Sequence, residues 1–193
     1  MNAKKKIRNL FTLASDPLED GSIVRASKGD LLKKTSGIYY DFRKDDITTP
    51  FSFFDSPKSS NLALPNRQIV PNRFRCRGLG ICLKGPKTDI DGAVSVNLGS
   101  ARMRLNLSDV PKCHFAGEDL SSRPHRIGSM GGFIPEASWG EYKKIKGVLI
   151  DWNDFIYVDL ITAPRPRTLR GVAFCLFGDM FLPCDNDDVE GWE

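Results

Sequence analysis

The chain is poor in the residues and motifs that hydrolytic enzymes use. Its 193 residues include only two histidines, His114 and His125, and no G-x-S-x-G nucleophile elbow. The segment GLGICLKG at 78–85 departs from the GxxxxGK[ST] phosphate loop. Asp151, Asp154 and Asp159 are close in sequence, but a paired-carboxylate mechanism also needs a cleft that this pattern does not indicate. We therefore predict a protein that is not an enzyme, with no catalytic residues and no cofactor.

Features of secreted and membrane-spanning proteins are also missing. The five cysteines are odd in number and irregular in spacing, and no apolar leader opens the sequence. The longest apolar runs, such as residues 172–177, are far shorter than the roughly 20 residues of a membrane-spanning helix. Cys76, Cys82 and the adjacent Cys113 and His114 match no standard zinc motif, which favours buried structural thiols. We expect an intracellular protein with reduced cysteines and no bound metal.

Charge is distributed unevenly along the chain. The net charge is +4, yet residues 66–104 hold eight Lys or Arg against two Asp. The C-terminus is acidic, with Asp185, Asp187, Asp188, Glu190 and Glu193. This bipolar pattern predicts a basic, partly flexible N-terminal segment at 1–35, a β domain at 36–184 and an acidic tail at 185–193.

Alternation of apolar and polar residues is the strongest structural signal. Val94, Val96 and Leu98 alternate with Ser95 and Asn97, and residues 102–107 repeat the pattern. Further strands are predicted at 37–42, 147–152 and 155–162, and residues 170–182 are apolar on both faces, as in a central strand. The sequence thus predicts a mostly β fold, an antiparallel β-sandwich that is jelly-roll-like, with one or two short helices.

We make a specific prediction for each of three segments outside these strands. Asn153 and Asp154 suit a two-residue hairpin turn between the strands at 147–152 and 155–162. The best short-helix candidate spans 135–144. Residues 43–66 look like a long irregular connection, whose Phe51, Phe53 and Phe54 we expect to cover the core as a lid.

The first residues form a basic cluster. Lys4, Lys5, Lys6 and Arg8 accompany apolar residues at a spacing compatible with a short amphipathic helix. One interpretation is a frayed, solvated terminus; the other is contact with an anionic membrane, a nucleocapsid or nucleic acid. The sequence leaves both open.

A second basic feature is the arginine ladder, which we define as Arg73, Arg75 and Arg77. An extended backbone places all three on one face, opposite Phe74 and Cys76. Leu79, Ile81 and Leu83 would then share the arginine face, so we expect a β-bulge at Gly78 or Gly80 to reset the pattern.

Arg102 and Arg104 are expected to extend the ladder into one basic sheet face. Such a face would neutralise phosphates without reading bases, so we predict these five arginines to bind nucleic acid. The alternative is a solvated strand face with scattered ion pairs.

The run from 74 to 103, FRCRGLGICLKGPKTDIDGAVSVNLGSARM, resembles the core of the thirty-kilodalton superfamily of plant-virus movement proteins. The matching positions are Gly80, Gly92, Val94, Val96, Leu98 and Arg102. The characteristic aspartate of that family is absent, since Ser100 or Ala101 stands in its place. The resemblance implies a jelly-roll-like domain that binds single-stranded nucleic acid cooperatively, associates with membranes and enlarges plasmodesmata for the cell-to-cell movement of a viral genome. We also expect the protein to self-associate.

Other functions stay open at this point. The basic start and RPHRIG at 123–128 are similar to rhabdovirus matrix proteins, which would imply self-assembly and contact with membrane or nucleocapsid. A jelly-roll coat protein is a related alternative. A small enzyme with an unrecognised site is the remaining one.

Overall fold

The part of the chain that the structure describes folds into two β-sheets. The computed structural model describes residues 6–12, 18–27, 29–44, 51–56, 60, 62, 73–84, 92–106, 112–113, 143–151, 154–161, 171–190 and 192. The strands in chain order are β1 (Arg8–Asn9), β2 (Ile23–Ser27), β3 (Asp30–Lys44), β4 (Phe51–Phe53), β5 (Arg73–Lys84), β6 (Ala93–Leu98), β7 (Ala101–Asn106), β8 (Lys112–Cys113), β9 (Lys143–Ile150), β10 (Ile156–Leu160) and β11 (Gly171–Pro183). In the described ranges, helical structure is limited to two short 3-10 turns, Leu10–Thr12 and Asn186–Val189.

The strands divide into a large and a small sheet. The large sheet has the order β1-β2-β3-β11-β5-β8, with β9 also paired to β5, and the small sheet has the order β4-β10-β6-β7. Adjacent strands are antiparallel except for β1 with β2 and β5 with β8. The predicted mostly β, sandwich-like fold is confirmed. Among the described residues, no helix has the length and apolar character needed to cross a membrane.

The main core lies between the two sheets. Val94, Val96 and Leu98 of the small sheet are fully buried against the apolar residues of the large sheet, as their alternation predicts. Phe53 of β4 packs on Phe174 of β11, with ring centroids 5.5 Å apart, and so joins the sheets directly. Complete burial of such side chains stabilises a fold by about 1.5–3 kcal/mol each.

β11 is the centre of the large sheet. It pairs with β3 on one side and with β5 on the other. Residues 173–177 are buried regardless of which face they occupy, because apolar side chains cover both faces of this strand. The predicted central strand is therefore confirmed.

A second apolar cluster lies on the opposite face of the large sheet. It contains Leu10, Leu18, Val24, Ala26, Leu32 and Phe181. Leu10 belongs to the first 3-10 turn, so burial of this side chain attaches that turn to the sheet.

A β-bulge in β5 changes which residues point inward. Gly78 pairs with Phe177 and Cys76 pairs with Gly178, which leaves Arg77 as the extra residue. Phe74 and Cys76 are buried before the bulge, and Leu79 and Ile81 after it. The bulge predicted at Gly78 or Gly80 is confirmed at Arg77 and Gly78.

The phenylalanine segment is more regular than predicted. Phe51–Phe53 forms β4, so the expectation of an irregular connection is wrong for these residues. Phe53 and Phe54 are completely buried, which confirms that they pack on the core. Phe54 has a φ of 61°, and its N–H donates a hydrogen bond to the Asp41 carboxylate, which holds this turn in place.

The predicted hairpin and part of the predicted short helix differ from the structure. The hairpin at 153–154 is wrong, because β9 pairs with β5 in the large sheet whereas β10 pairs with β4 and β6 in the small one. Here the chain crosses between sheets, with the Asp154 N–H bonded to the Asp151 carbonyl at 3.0 Å. Of the helix candidate 135–144, residues 143 and 144 begin strand β9 and the others lie outside the described residues.

The sheet also extends into the predicted N-terminal segment. The expected domain start at residue 36 falls inside β3, and β2 precedes it in the large sheet. At the other end, the acidic segment continues directly from β11, and Lys33 of β3 bonds to Asp188 at 2.6 Å.

Candidate nucleic-acid interface

The arginine ladder has the predicted orientation but a different environment. Arg75 is only 4% exposed, although Phe74 and Cys76 point into the core on the other side of the strand. Its Nε and Nη2 both donate to Oδ2 of Asp179, at 3.0 and 2.6 Å. Asp179 is the cross-strand neighbour of Arg75 on β11 and is 2% exposed. The central arginine of the ladder is thus neutralised inside the protein.

Further cations surround the same carboxylate. Lys34 Nζ and Arg77 Nη1 each lie 3.4 Å from Oδ1 of Asp179, and Lys34 also bonds to Asp20 at 2.7 Å. We call the three buried members, Lys34, Arg75 and Asp179, the buried charge cluster. Buried charges are stable only when they are paired, so Asp179 fixes the side chains of Lys34 and Arg75.

The two end residues of the ladder, Arg73 and Arg77, also contact other side chains. Arg73 Nε donates to Asp151 at 2.7 Å, and its guanidinium lies 5.9 Å from the ring centroid of Phe11. Arg77 is the most exposed of the three, at 26% of its side chain. Nucleic-acid binding by the ladder stays a prediction, but these contacts favour a structural role.

Arg102 and Arg104 do not extend the ladder. They lie on β7 of the small sheet, whereas Arg73, Arg75 and Arg77 lie on β5 of the large sheet, so the expectation of one shared sheet face is wrong. Both are exposed, while Met103 and Leu105 between and beyond them pack against the core. Within the described part of the chain, neither guanidinium has an ion-pair partner.

Cross-strand register defines the surroundings of these two arginines. Arg102 lies beside Asn97 of β6, which lies beside Tyr157 of β10. Neighbouring strands are about 4.8 Å apart, so these side chains form a continuous row.

The next row runs parallel to the first. Arg104 lies beside Ser95, Ser95 beside Asp159, and Asp159 beside Ser52 of β4. The Ser52 hydroxyl donates to the Asp159 carboxylate. We call the surface formed by these two rows and Phe155 the outer face of the small sheet.

Exposed aromatic rings complete this face. Phe155 and Tyr157 are 48% and 38% exposed, and their rings stack with centroids 5.8 Å apart and planes at 27°. Of the four exposed large hydrophobic side chains among the described residues, three lie on or beside β10 of the small sheet, namely Phe155, Tyr157 and Ile161. The face therefore combines accessible cations with a stacking platform.

Sequence reasoning identified the strand but missed its aromatic surface. In FIYVDLIT, Ile156, Val158 and Leu160 face the core, so the alternation places Phe155 and Tyr157 outside. This alternation of inward and outward residues was the sequence signal that could have identified the two exposed rings. Asp179 gave no comparable signal, because its pairing with Arg75 depends on register between strands that are 104 residues apart.

The basic chain start is partly described. Lys6 and Arg8 are exposed, and Lys4 and Lys5 lie outside the described residues. Arg8 belongs to β1, which pairs with β2, so the expectation of an amphipathic helix is wrong at this residue. Membrane or nucleocapsid contact through Lys4, Lys5, Lys6 and Arg8 stays a prediction.

The candidate cysteine and histidine ligands give no metal site in the part of the chain that is described. Cys76 is buried, and burial raises the pKa of its thiol to about 12. Backbone pairing places Cys82 beside Cys113, while His114 and His125 lie outside the described residues.

Comparisons of the chain with family models, with curated proteins and with solved structures find no match.

Proposed function

We propose that this chain is a non-enzymatic protein that binds single-stranded nucleic acid on the outer face of the small sheet. The supporting observation is that two exposed arginines and a stacked pair of exposed aromatic rings lie on one face. Arginines neutralise phosphates of any sequence, and aromatic rings stack on unpaired bases of any kind. The combination favours sequence-independent binding of single strands.

The exposed aromatic rings favour single strands over duplexes. Bases in a duplex are stacked on each other and cannot reach Phe155 or Tyr157, so only the phosphate contacts would remain. The same face presents Ser95 and Asn97, which are half-buried polar residues that suit a solvated ligand.

The biological role that we attach to this activity is cell-to-cell movement of a viral genome. Its support is the resemblance carried by Gly80, Gly92 and the strand from Val94 to Leu98, which is β6 of the binding face. Membrane association through the basic chain start and self-association belong to the same proposal. Flotation with anionic vesicles tests the membrane contact, and removal of residues 1–8 should abolish it.

Fluorescence anisotropy with a labelled single-stranded RNA of mixed sequence tests the binding proposal. Tyr157→Ala should weaken binding about five- to 150-fold, because stacking contributes about 1–3 kcal/mol per base. Phe155→Ala should act in the same direction. A duplex of the same length should bind more weakly than the single strand and respond little to either substitution.

Phe11→Ala is the matched control. Phe11 is the most exposed large hydrophobic side chain among the described residues, but it lies in the first 3-10 turn, away from the small sheet. Its loss should leave RNA affinity unchanged. Wild-type affinity in both Tyr157→Ala and Phe155→Ala would contradict the proposed face.

A further inference from the structure

The outer face of the small sheet is chemically ordered from strand to strand. Exposed cations lie on β7, half-buried polar side chains on β6, and exposed aromatic rings at β10. Across one row the order is Arg102, Asn97 and Tyr157, with neighbouring strands about 4.8 Å apart.

This order corresponds to the parts of a nucleotide. On the proposed function, on which this inference rests, phosphates lie over the arginines of β7 and bases stack at the rings of β10. The sugar then lies over β6, the strand between them. The ligand would run along the strand direction, across successive rows.

Charge along the second row supports the same orientation. Arg104 lies on β7, and the Asp159 carboxylate lies two strands away on β10. A phosphate is attracted to the first and repelled by the second, so the backbone of the ligand is directed toward β7.

Spacing along the strands fits consecutive nucleotides. Arg102 and Arg104 are two residues apart, which is about 6.8 Å in an extended strand. Ser95 and Asn97 repeat this interval on β6. Each of two rows thus offers one cation and one polar side chain to an unstacked strand.

Ser95 and Asn97 have hydrogen-bonding groups available for a sugar. In the described ranges, neither side chain has a hydrogen-bond partner, although both are half-buried. A serine hydroxyl and an asparagine amide can each donate and accept. The ribose 2′-hydroxyl also donates and accepts, and it is the group that distinguishes RNA from DNA.

We infer that Ser95 and Asn97 bind ribose 2′-hydroxyl groups and make the outer face of the small sheet prefer single-stranded RNA over single-stranded DNA. One or two such hydrogen bonds correspond to a ratio of dissociation constants of about five- to thirtyfold. The preference resides in β6, whereas overall affinity resides in β7 and β10.

The test measures Kd for an RNA and a DNA oligonucleotide of the same A, C and G sequence, so that the 2′-hydroxyl is the only difference. Wild type should bind the RNA about five- to thirtyfold more tightly. Ser95→Ala combined with Asn97→Ala should bring the ratio close to one by weakening RNA binding alone. Unchanged DNA affinity in this variant also shows that it is folded.

Asn106→Ala is the matched control, because Asn106 is an exposed polar residue of β7 outside the two rows. It should keep the wild-type ratio. Equal wild-type affinity for the two oligonucleotides, or a preference that survives loss of both β6 side chains, would overturn the inference while the proposed function stands. Failure to bind either oligonucleotide would overturn both.

Discussion

The buried carboxylate of Asp179 gives the sharpest stability prediction. We expect Asp179→Asn to lower the free energy of unfolding more than Arg75→Met does. Asparagine has nearly the same size, so the substitution removes the charge without opening a cavity. The side chains of Arg75 and Lys34, each 5% exposed, would then remain buried with like charge.

The expected loss of stability depends on which buried charges remain after each substitution. Removing one partner of a buried ion pair costs about 3–5 kcal/mol, and we expect Asp179→Asn to fall in this range. Arg75→Met should cost less, about 1–3 kcal/mol, because Lys34 and Arg77 still lie 3.4 Å from the Asp179 carboxylate. Since domains are stable by about 5–15 kcal/mol, the first variant approaches the limit of folding.

Urea unfolding followed by far-UV circular dichroism measures both values. Asp187→Asn is the control, since this exposed carboxylate of the second 3-10 turn should change stability by about 0.5 kcal/mol or less. An unfolding free energy for Asp179→Asn within 1 kcal/mol of wild type, or a larger loss in Arg75→Met, would refute the reasoning; the threshold is about the error of such comparisons.

Three further outcomes are expected. Gly178→Ala should prevent accumulation of folded protein, because an added Cβ would lie 2.1 Å from a backbone carbonyl oxygen of β5; soluble expression checks this. The hydrogen bond from Lys34 lowers the pKa of Asp20 below 3.8, so this pair stabilises the fold above that pH and its contribution is lost as the pH falls through the lowered pKa. Asp20→Asn should therefore flatten the acid side of a stability-versus-pH curve. Cys184, which is partly exposed, should react with a thiol reagent before Cys76, which is buried with a raised pKa; peptide mass spectrometry of timed samples ranks them.

The local order of apolar and polar residues predicted the strands in which these residues alternate and the strand that is apolar throughout. β6, β7 and β11 match their expected ranges closely, because the side-chain period of two leaves a direct trace in the sequence. The bulge at Gly78 was also predictable, since Leu79 and Ile81 would otherwise face away from the core. These features depend only on neighbouring residues.

Partition into two sheets was not predictable in the same way. Asn153 and Asp154 suit a hairpin turn by sequence, but β9 and β10 pair in different sheets, and only tertiary packing decides this. The same limit applies to the binding residues. Arg75 and Arg104 look alike in sequence, yet β11 supplies Asp179 to neutralise the first, while the second stays exposed on a different sheet.

The distinction between these two sets of arginines is the central claim, and a salt titration tests it. Each neutralised phosphate of a single strand contributes about 0.7 to the slope of log K against log salt, so Arg102→Ala with Arg104→Ala should reduce the slope by about 1.4. Arg25→Ala with Lys144→Ala removes the same charge from exposed positions of the large sheet and is the control. We predict a reduced slope and weaker RNA binding only in the Arg102 and Arg104 variant; equal slopes in that variant and wild type would contradict the account.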